Sequence, residues 1–128
     1  MHALNSYDCA LIRLVPSVER GECLNIGVIL FCRTLDFLAA RIDLNVARSL
    51  ALSPDLDLAA VQQQLDAIRL ICGGGPEAGP LGKMSQSERF QWLVSPRSTI
   101  IQISETHEGV CDNPAEALEH LHKTMVLM

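Results

Sequence analysis

The sequence has few aromatic residues, no long apolar run and no excess of positive charge. It contains one Trp, one Tyr and three Phe, so it offers few rings on which nucleic-acid bases could stack. Its net charge of −5 has the wrong sign for a broad surface that binds duplex DNA or an anionic membrane. No apolar run approaches the roughly eighteen residues of a membrane-spanning helix. We therefore expect neither a nucleic-acid partner nor a membrane partner.

The cysteines lack the pattern of a disulfide framework or a zinc site. Five cysteines are an odd number, and no two of them form a C-x-x-C pair. Residues 1–5 also lack the basic start and the apolar core of a secretory signal. We expect a cytoplasmic protein that has no metal and no cofactor.

What the sequence does have is an apolar content of 48%, much of it in β-rich runs near the start. A chain of 128 residues is a common size for one domain, and we predict a single domain over residues 1–128. The runs 7–15 and 24–33 are apolar at both parities, which is typical of strands that are covered on both faces. A third run at residues 37–43 and the short polar turns between the runs predict an antiparallel meander.

The middle of the chain predicts helices. A short helix follows Asn45, and a longer one begins near residues 53–55 with a cap, a proline and an acid. The glycine run 73–75 ends that helix. Residues 77–84 are predicted to form an irregular loop.

The last third of the chain predicts two further helices and one strand. A capping box at residues 85–88 opens a helix, and Pro96 prevents its continuation. Residues 98–104 are predicted to form a fourth strand and residues 107–111 a loop. Asn113 is predicted to open the last helix, which is expected to bury its apolar positions: Leu118, Leu121 and Met125. The predicted fold class is α+β, with helices packed on a largely antiparallel sheet of about four strands.

Arg13 interrupts an otherwise apolar strand face. A buried guanidinium needs a paired acid or a bound anion, whereas one near a strand end can simply reach water, and both explanations stay open. Glu22 and Asn25 flank the start of the second strand, and Gly27 removes a side chain where a ligand or another backbone can approach. Turn chemistry and a packing glycine are the alternative for these three residues.

Arg89 and Arg97 are the main candidates for a ligand site. A helix and a proline turn separate them, so the two guanidinium groups can converge on one phosphate or carboxylate. Trp92 can supply an apolar wall with one hydrogen-bond donor. The alternative is that Arg89 pairs with a neighbouring acid while Phe90 and Trp92 fill the core.

His107 precedes Cys111 by four residues. The two could in principle ligate a metal or act as base and nucleophile, but no other ligand pair accompanies them, so we predict no metal site. Glu22 and His107 are weak candidates for a catalytic acid or base. The remaining histidines are predicted to lie at the surface: His2, His120 and His122.

Several segments together resemble one known family. They are YDCA at residues 7–10 with RLVP at 13–16, ECLNIGVIL at 22–30, and SERF at 87–90 with Trp92 and PRS at 96–98. Over nearly the whole chain, the sequence resembles the bacterial family catalogued as domain of unknown function 3037. The resemblance implies a small stand-alone bacterial protein, in some cases with neighbouring genes for HipA-type kinases, and it implies no assigned activity. The positions that match the family pattern are Arg13, Glu22, Asn25, Gly27, Arg89, Pro96, Arg97, His107 and Gly109.

Two functional hypotheses follow. The first is a non-catalytic binding or accessory module that acts with a protein partner, such as a HipA-type kinase, and contacts an anionic small molecule or group. Its predicted ligand-binding residues are Arg89, Arg97, Arg13, Asn25 and Trp92. The second is a small hydrolase or transferase that acts on a phosphorylated small molecule, with Glu22 or His107 as acid or base. Paired arginines without a base, nucleophile or metal set beside them in the sequence favour the first hypothesis.

Overall fold

Five antiparallel strands form one open sheet with helices packed on it, in a computed structural model that describes residues 4–17, 20–96 and 100–127. The strands are β1 (Asn5–Ser17), β2 (Glu22–Cys32), β3 (Phe37–Ile42), β4 (Ile101–Ile103) and β5 (His107–Cys111). The helices are α1 (Val46–Leu52), α2 (Leu58–Gly73), a 3₁₀ segment (Pro76–Lys83), α3 (Gln86–Val94) and α4 (Pro114–Met125). The predicted α+β class and the antiparallel sheet are therefore confirmed.

β1 lies inside the sheet and pairs along both of its edges. One edge pairs with β2, which in turn pairs with β3, so the predicted meander is confirmed. The other edge is shared by β4, opposite residues 12–14, and β5, opposite residues 5–9. The prediction of a loop at residues 107–111 was wrong. Their sequence has only a weak strand pattern, because His107 and Glu108 are polar and exposed. They form a strand because β1 pairs with them and supplies their backbone hydrogen bonds.

Helices cover both faces of the sheet. On one face, α2 and α3 pack against a core that includes these buried residues: Ile12, Leu14, Ile29, Phe31, Val61, Leu65, Phe90 and Leu93. On the other face, α4 packs against a smaller core: Leu11, Val28, Leu30, Cys32, Leu118 and Val126. The prediction that the first two strands are covered on both faces is confirmed. Burial of each large aliphatic side chain contributes about 1.5–3 kcal/mol to stability.

The helix ends follow local capping chemistry. α2 begins later than predicted, because the carboxylate of Asp57 accepts a hydrogen bond from the main-chain N of Ala60 and makes Asp57 the N-cap. Gly74 and Gly75 have φ values of 71° and 81°, which confirms the glycine stop. The predicted loop at residues 77–84 is largely a 3₁₀ segment kinked at Gly79. The capping box of Ser85 is confirmed, as is the end of its helix at Val94.

No helix of the described ranges is both long and apolar enough to span a bilayer.

Candidate anion-binding site

A β-bulge in β2 places two polar side chains side by side. Ile12 pairs with Gly27, but the next residue, Arg13, pairs with Asn25, so Ile26 is an extra residue in β2. The bulge puts Asn25 on the same sheet face as Arg13, the face that α4 covers. Gly27 is required beside the bulge, because an added Cβ would lie 2.9 Å from the carbonyl oxygen of Arg41 and 3.0 Å from Cδ1 of Ile12. For Gly27, the structure supports the packing explanation.

Arg13 is half-buried, and an amide rather than an acid orients it. Nε of Arg13 donates to Oδ1 of Asn25 at 3.3 Å, and Nδ2 of Asn25 donates to the carbonyl oxygen of Met125 at 3.3 Å. Among the described residues, no carboxylate forms an ion pair with Arg13. The amide can fix the direction of the guanidinium, but it leaves the positive charge unbalanced.

Arg48 of α1 lines the same cavity as Arg13. The cavity has a volume of about 310 Å³ and is lined by Arg13, Cys23, Leu24, Asn25, Arg48, Met125 and Val126. In the part of the chain that the structure describes, Arg48 also forms no ion pair. Two positively charged residues that line one cavity repel each other, and an anion bound between them would make the net electrostatic interaction attractive.

A second cavity continues from the first toward the end of β3. It has a volume of about 240 Å³, shares Leu24, Asn25, Arg48 and Val126 with the first cavity, and adds Asp43 and Leu44. Oδ2 of Asp43 lies 2.6 Å from Nε2 of His122, which holds the carboxylate against α4. An acid is therefore present in this cavity, but its partner is a histidine and not Arg48.

His122 is 1% exposed, so the prediction that it lies at the surface was wrong. Its position in the last turn of α4 directs the ring inward against the end of β3. Nδ1 of His122 is buried and forms no hydrogen bond with the described residues. His120 is exposed as predicted, and His2 lies outside the described residues.

A third cavity adjoins the first on its other side. It has a volume of about 230 Å³ and is mostly apolar, with these lining residues: Cys9, Ala10, Leu11, Arg13, Val28, His107, Leu121 and Met125. Arg13 and Met125 belong to both cavities. Met125 is 46% exposed, which corrects the prediction that it is buried. We call the three cavities together the α4 groove.

Arg89 does not reach the α4 groove. It comes from α3 on the opposite face of the sheet and is 8% exposed. Its Nη1 donates to the carbonyl oxygens of Ile71 and Cys72, both at 2.8 Å, and its Nε donates to that of Met84 at 3.2 Å. Arg89 thus satisfies main-chain carbonyls at the end of α2, where a positive charge is favourable, rather than pairing with a neighbouring acid as the alternative explanation had it.

The other members of the predicted arginine site lie on the Arg89 side or outside the described residues. Trp92 is 37% exposed and lines a separate cavity of about 160 Å³ between α2, α3 and β4. Arg97 lies outside the described residues, so its convergence with Arg89 stays a prediction. Of the five predicted ligand-binding residues, the structure brings together Arg13 and Asn25, and it places Arg89 and Trp92 on the other face of the sheet.

The two catalytic candidates lie in different places. Glu22 forms an ion pair with Arg20 at the turn between β1 and β2. His107 lies in the apolar cavity of the α4 groove, opposite Cys9 in the pairing of β1 with β5. Four residues along a strand span roughly 13 Å, so His107 and Cys111 cannot share a metal ion or exchange a proton directly. Within the described ranges, no group of three or more metal-ligating side chains occurs.

The thiol in the apolar cavity is held protonated. Burial raises the pKa of Cys9, and the charge of Asp8 raises it further, while a hydrogen bond with the main chain of His107 lowers it. Because the thiolate is the nucleophilic form, these effects oppose the use of Cys9 as a nucleophile.

Comparison with known proteins identifies the family but no activity. The family model described as Protein of unknown function (DUF3037) matches residues 9–126. The chain belongs to the DUF3037 family. The DUF3037 match spans every described side chain of the α4 groove except Leu127, and it confirms the resemblance seen in the sequence. Neither curated proteins nor solved structures give a match.

Sequence reasoning missed Arg48, Asp43 and His122. An arginine in a short helix resembles any solvated residue, and only the fold brings Arg48 to the cavity that Arg13 lines. His122 follows Leu118 and Leu121 on α4 at helical spacing, and this periodicity was the one signal that could have predicted its burial.

Proposed function

We propose that this protein is a non-catalytic binding module that holds an anionic group, a carboxylate or a phosphate, between Arg13 and Arg48. The observation that carries the proposal is that both arginines line one cavity and that neither forms an ion pair within the described residues. A guanidinium matches the planar geometry of both anions, because two parallel N–H groups can donate to two oxygens.

Asn25 supports this role. Its Oδ1 accepts from Nε of Arg13, which leaves the Nη groups to face a ligand. Its Nδ2 donates to the last turn of α4. An arginine that is held in place before binding loses less conformational freedom when an anion arrives.

A second candidate function, a small hydrolase or transferase, is favoured by one specific observation. His107 lines the apolar cavity together with Arg13, so an imidazole and a guanidinium could contact one phosphorylated substrate. We rank this candidate second because the neighbouring Cys9 thiol has a raised pKa and Glu22 is paired with Arg20. Hydrolysis of p-nitrophenyl phosphate by the wild type, and its loss in His107→Gln, would favour the enzyme.

The setting that we propose is a bacterial cytosol, where the module acts with a protein partner such as a HipA-type kinase. The family resemblance supports the bacterial origin and the partner, and the five cysteines, all free thiols, support a reducing compartment. Both the compartment and the partner remain predictions.

The test is a titration with simple anions. Inorganic phosphate, pyrophosphate and acetate are added to the wild type and to the variants Arg13→Gln and Arg48→Gln, and the unfolding temperature is recorded. A ligand that binds the folded state raises stability by about 2.7 kcal/mol at 100 times its Kd. We expect a saturable increase in the wild type and at least a tenfold weaker affinity in each variant.

Arg69→Gln is the matched control, because it removes one positive charge from an exposed arginine of α2 that pairs with Asp66. It is expected to respond like the wild type. A wild type that shows no saturable response to any of the three anions, or an Arg69→Gln that loses the response as Arg13→Gln does, would refute the proposal.

A further inference from the structure

We infer that the anion bound in the α4 groove is the head of a small organic acid that carries an aromatic or short aliphatic group, and that this group occupies the apolar cavity beside Arg13. This inference rests on the proposed function and names the chemical class of its ligand. It starts from the position of Arg13, which lines both the arginine-lined cavity and the apolar one.

The apolar cavity has the size and the lining for such a group. Its volume of about 230 Å³ exceeds the roughly 150 Å³ of an apolar protein cavity that holds benzene. Its walls include Leu11, Val28 and Leu121, and among the described lining residues Arg13, at the junction, is the only permanently charged one. An inorganic anion would leave this apolar surface facing water.

Met125 marks the junction of the two cavities. Its side chain is 46% exposed although it lies next to buried Val126. Its carbonyl oxygen accepts from Asn25, so the backbone at this point is tied to the residue that orients Arg13. A flexible thioether at this position can contact apolar groups of different shapes.

The charge pattern determines how the acid lies in the groove. Arg13 and Arg48 line the central cavity, and Asp43 lines the cavity on the far side. An acid whose anionic group reached the Asp43 end would meet a like charge. We therefore expect the head between Arg13 and Arg48 and the apolar group pointing away from Asp43, toward Leu121 and Val28.

The experiment compares ligands that share a head and differ in the apolar group. Isothermal titration is carried out with inorganic phosphate against phenyl phosphate, and with acetate against benzoate. Because burial of one methylene strengthens binding about fourfold, the phenyl compounds should bind at least about tenfold more tightly than their parent anions. The phosphate pair and the carboxylate pair also show which head the groove prefers.

Two variants fill the apolar cavity and leave both arginines unsubstituted: Cys9→Phe, at a half-buried position, and Leu121→Phe, which serves if the first variant does not fold. In either, phenyl phosphate should bind only as well as inorganic phosphate binds to the same variant. Equal affinities for phenyl phosphate and inorganic phosphate in the wild type would overturn the inference while leaving the proposed function standing. Loss of all anion binding in the wild type would overturn both.

Discussion

Replacement of Arg89 by Met should destabilise the fold strongly, because its guanidinium caps the end of α2. Met keeps the length and apolar character of the side chain but donates no hydrogen bond. The two buried bonds to Ile71 and Cys72, both 2.8 Å, are lost together with the part-buried bond to Met84, and the carbonyl oxygens of Ile71 and Cys72 stay buried. A hydrogen bond from a charged donor contributes about 1.5–3 kcal/mol, so the two together predict a loss of about 3–6 kcal/mol.

The measurement is equilibrium unfolding in urea, with the free energy of unfolding and the slope m fitted for each variant. Arg89→Lys should be intermediate, because one ammonium cannot reproduce the planar donor geometry. Arg69→Met, which removes an exposed arginine of α2, should change stability by less than about 1 kcal/mol. An Arg89→Met variant as stable as Arg69→Met would show that the capping reasoning is wrong. If an Arg89→Met variant of unchanged stability also lost phosphate binding, that result would support the ligand-binding role of Arg89 that the sequence suggested.

Three further predictions test the packing and the thiols. Gly27→Ala should lower the free energy of unfolding by about 1–3 kcal/mol, because the added Cβ would press on the carbonyl oxygen of Arg41. Gly73 has open space around it, so Gly73→Ala should lower the unfolding temperature much less than Gly27→Ala does. Burial raises the pKa of Cys72 from 9.0 to about 12, so the contribution of the buried thiol to the free energy of unfolding is complete below pH 9 and falls by about 1.4 kcal/mol per pH unit above it. Urea unfolding at several pH values between 9 and 12 should show a smaller decline of that free energy for Cys72→Ala than for the wild type. The same decline in both proteins would contradict the raised pKa. A thiol reagent added to the native protein should modify exposed Cys23 first and buried Cys72 only on unfolding, and rapid native labelling of Cys72 would disprove its burial.

Periodicity and capping predicted most of the fold, because both are local. The double apolar parity of residues 7–15 and 24–33 predicted two strands that α2, α3 and α4 cover from both sides. The glycine run at residues 73–75 predicted the end of α2. Strand β5 was missed because its pattern is weak and its partner β1 is distant in sequence.

The candidate site was predicted only in part, because it depends on contacts between distant segments. Arg13 and Asn25 were both singled out, and the register shift at Ile26 brings them together. Strict alternation along β2 would place Asn25 and Gly27 on the same face of the sheet. The extra residue in β2 moves Asn25 to the opposite face, and no local sequence pattern shows that this residue is inserted. Arg48 and Arg13 lie far apart in the sequence and line one cavity only in the folded chain.

The pairing of β1 with β4 and β5 has a consequence for synthesis on the ribosome. β2 and β3 follow β1 closely and can form a hairpin as they emerge, but the second edge of β1 stays open until residues 101–111 have left the exit tunnel. An open edge with apolar neighbours is where nascent chains associate wrongly, so this stretch of translation is when a chaperone would be needed most. A pause in elongation while residues 5–42 are outside the tunnel and residues 101–111 are still inside it should therefore increase aggregation of the nascent chain.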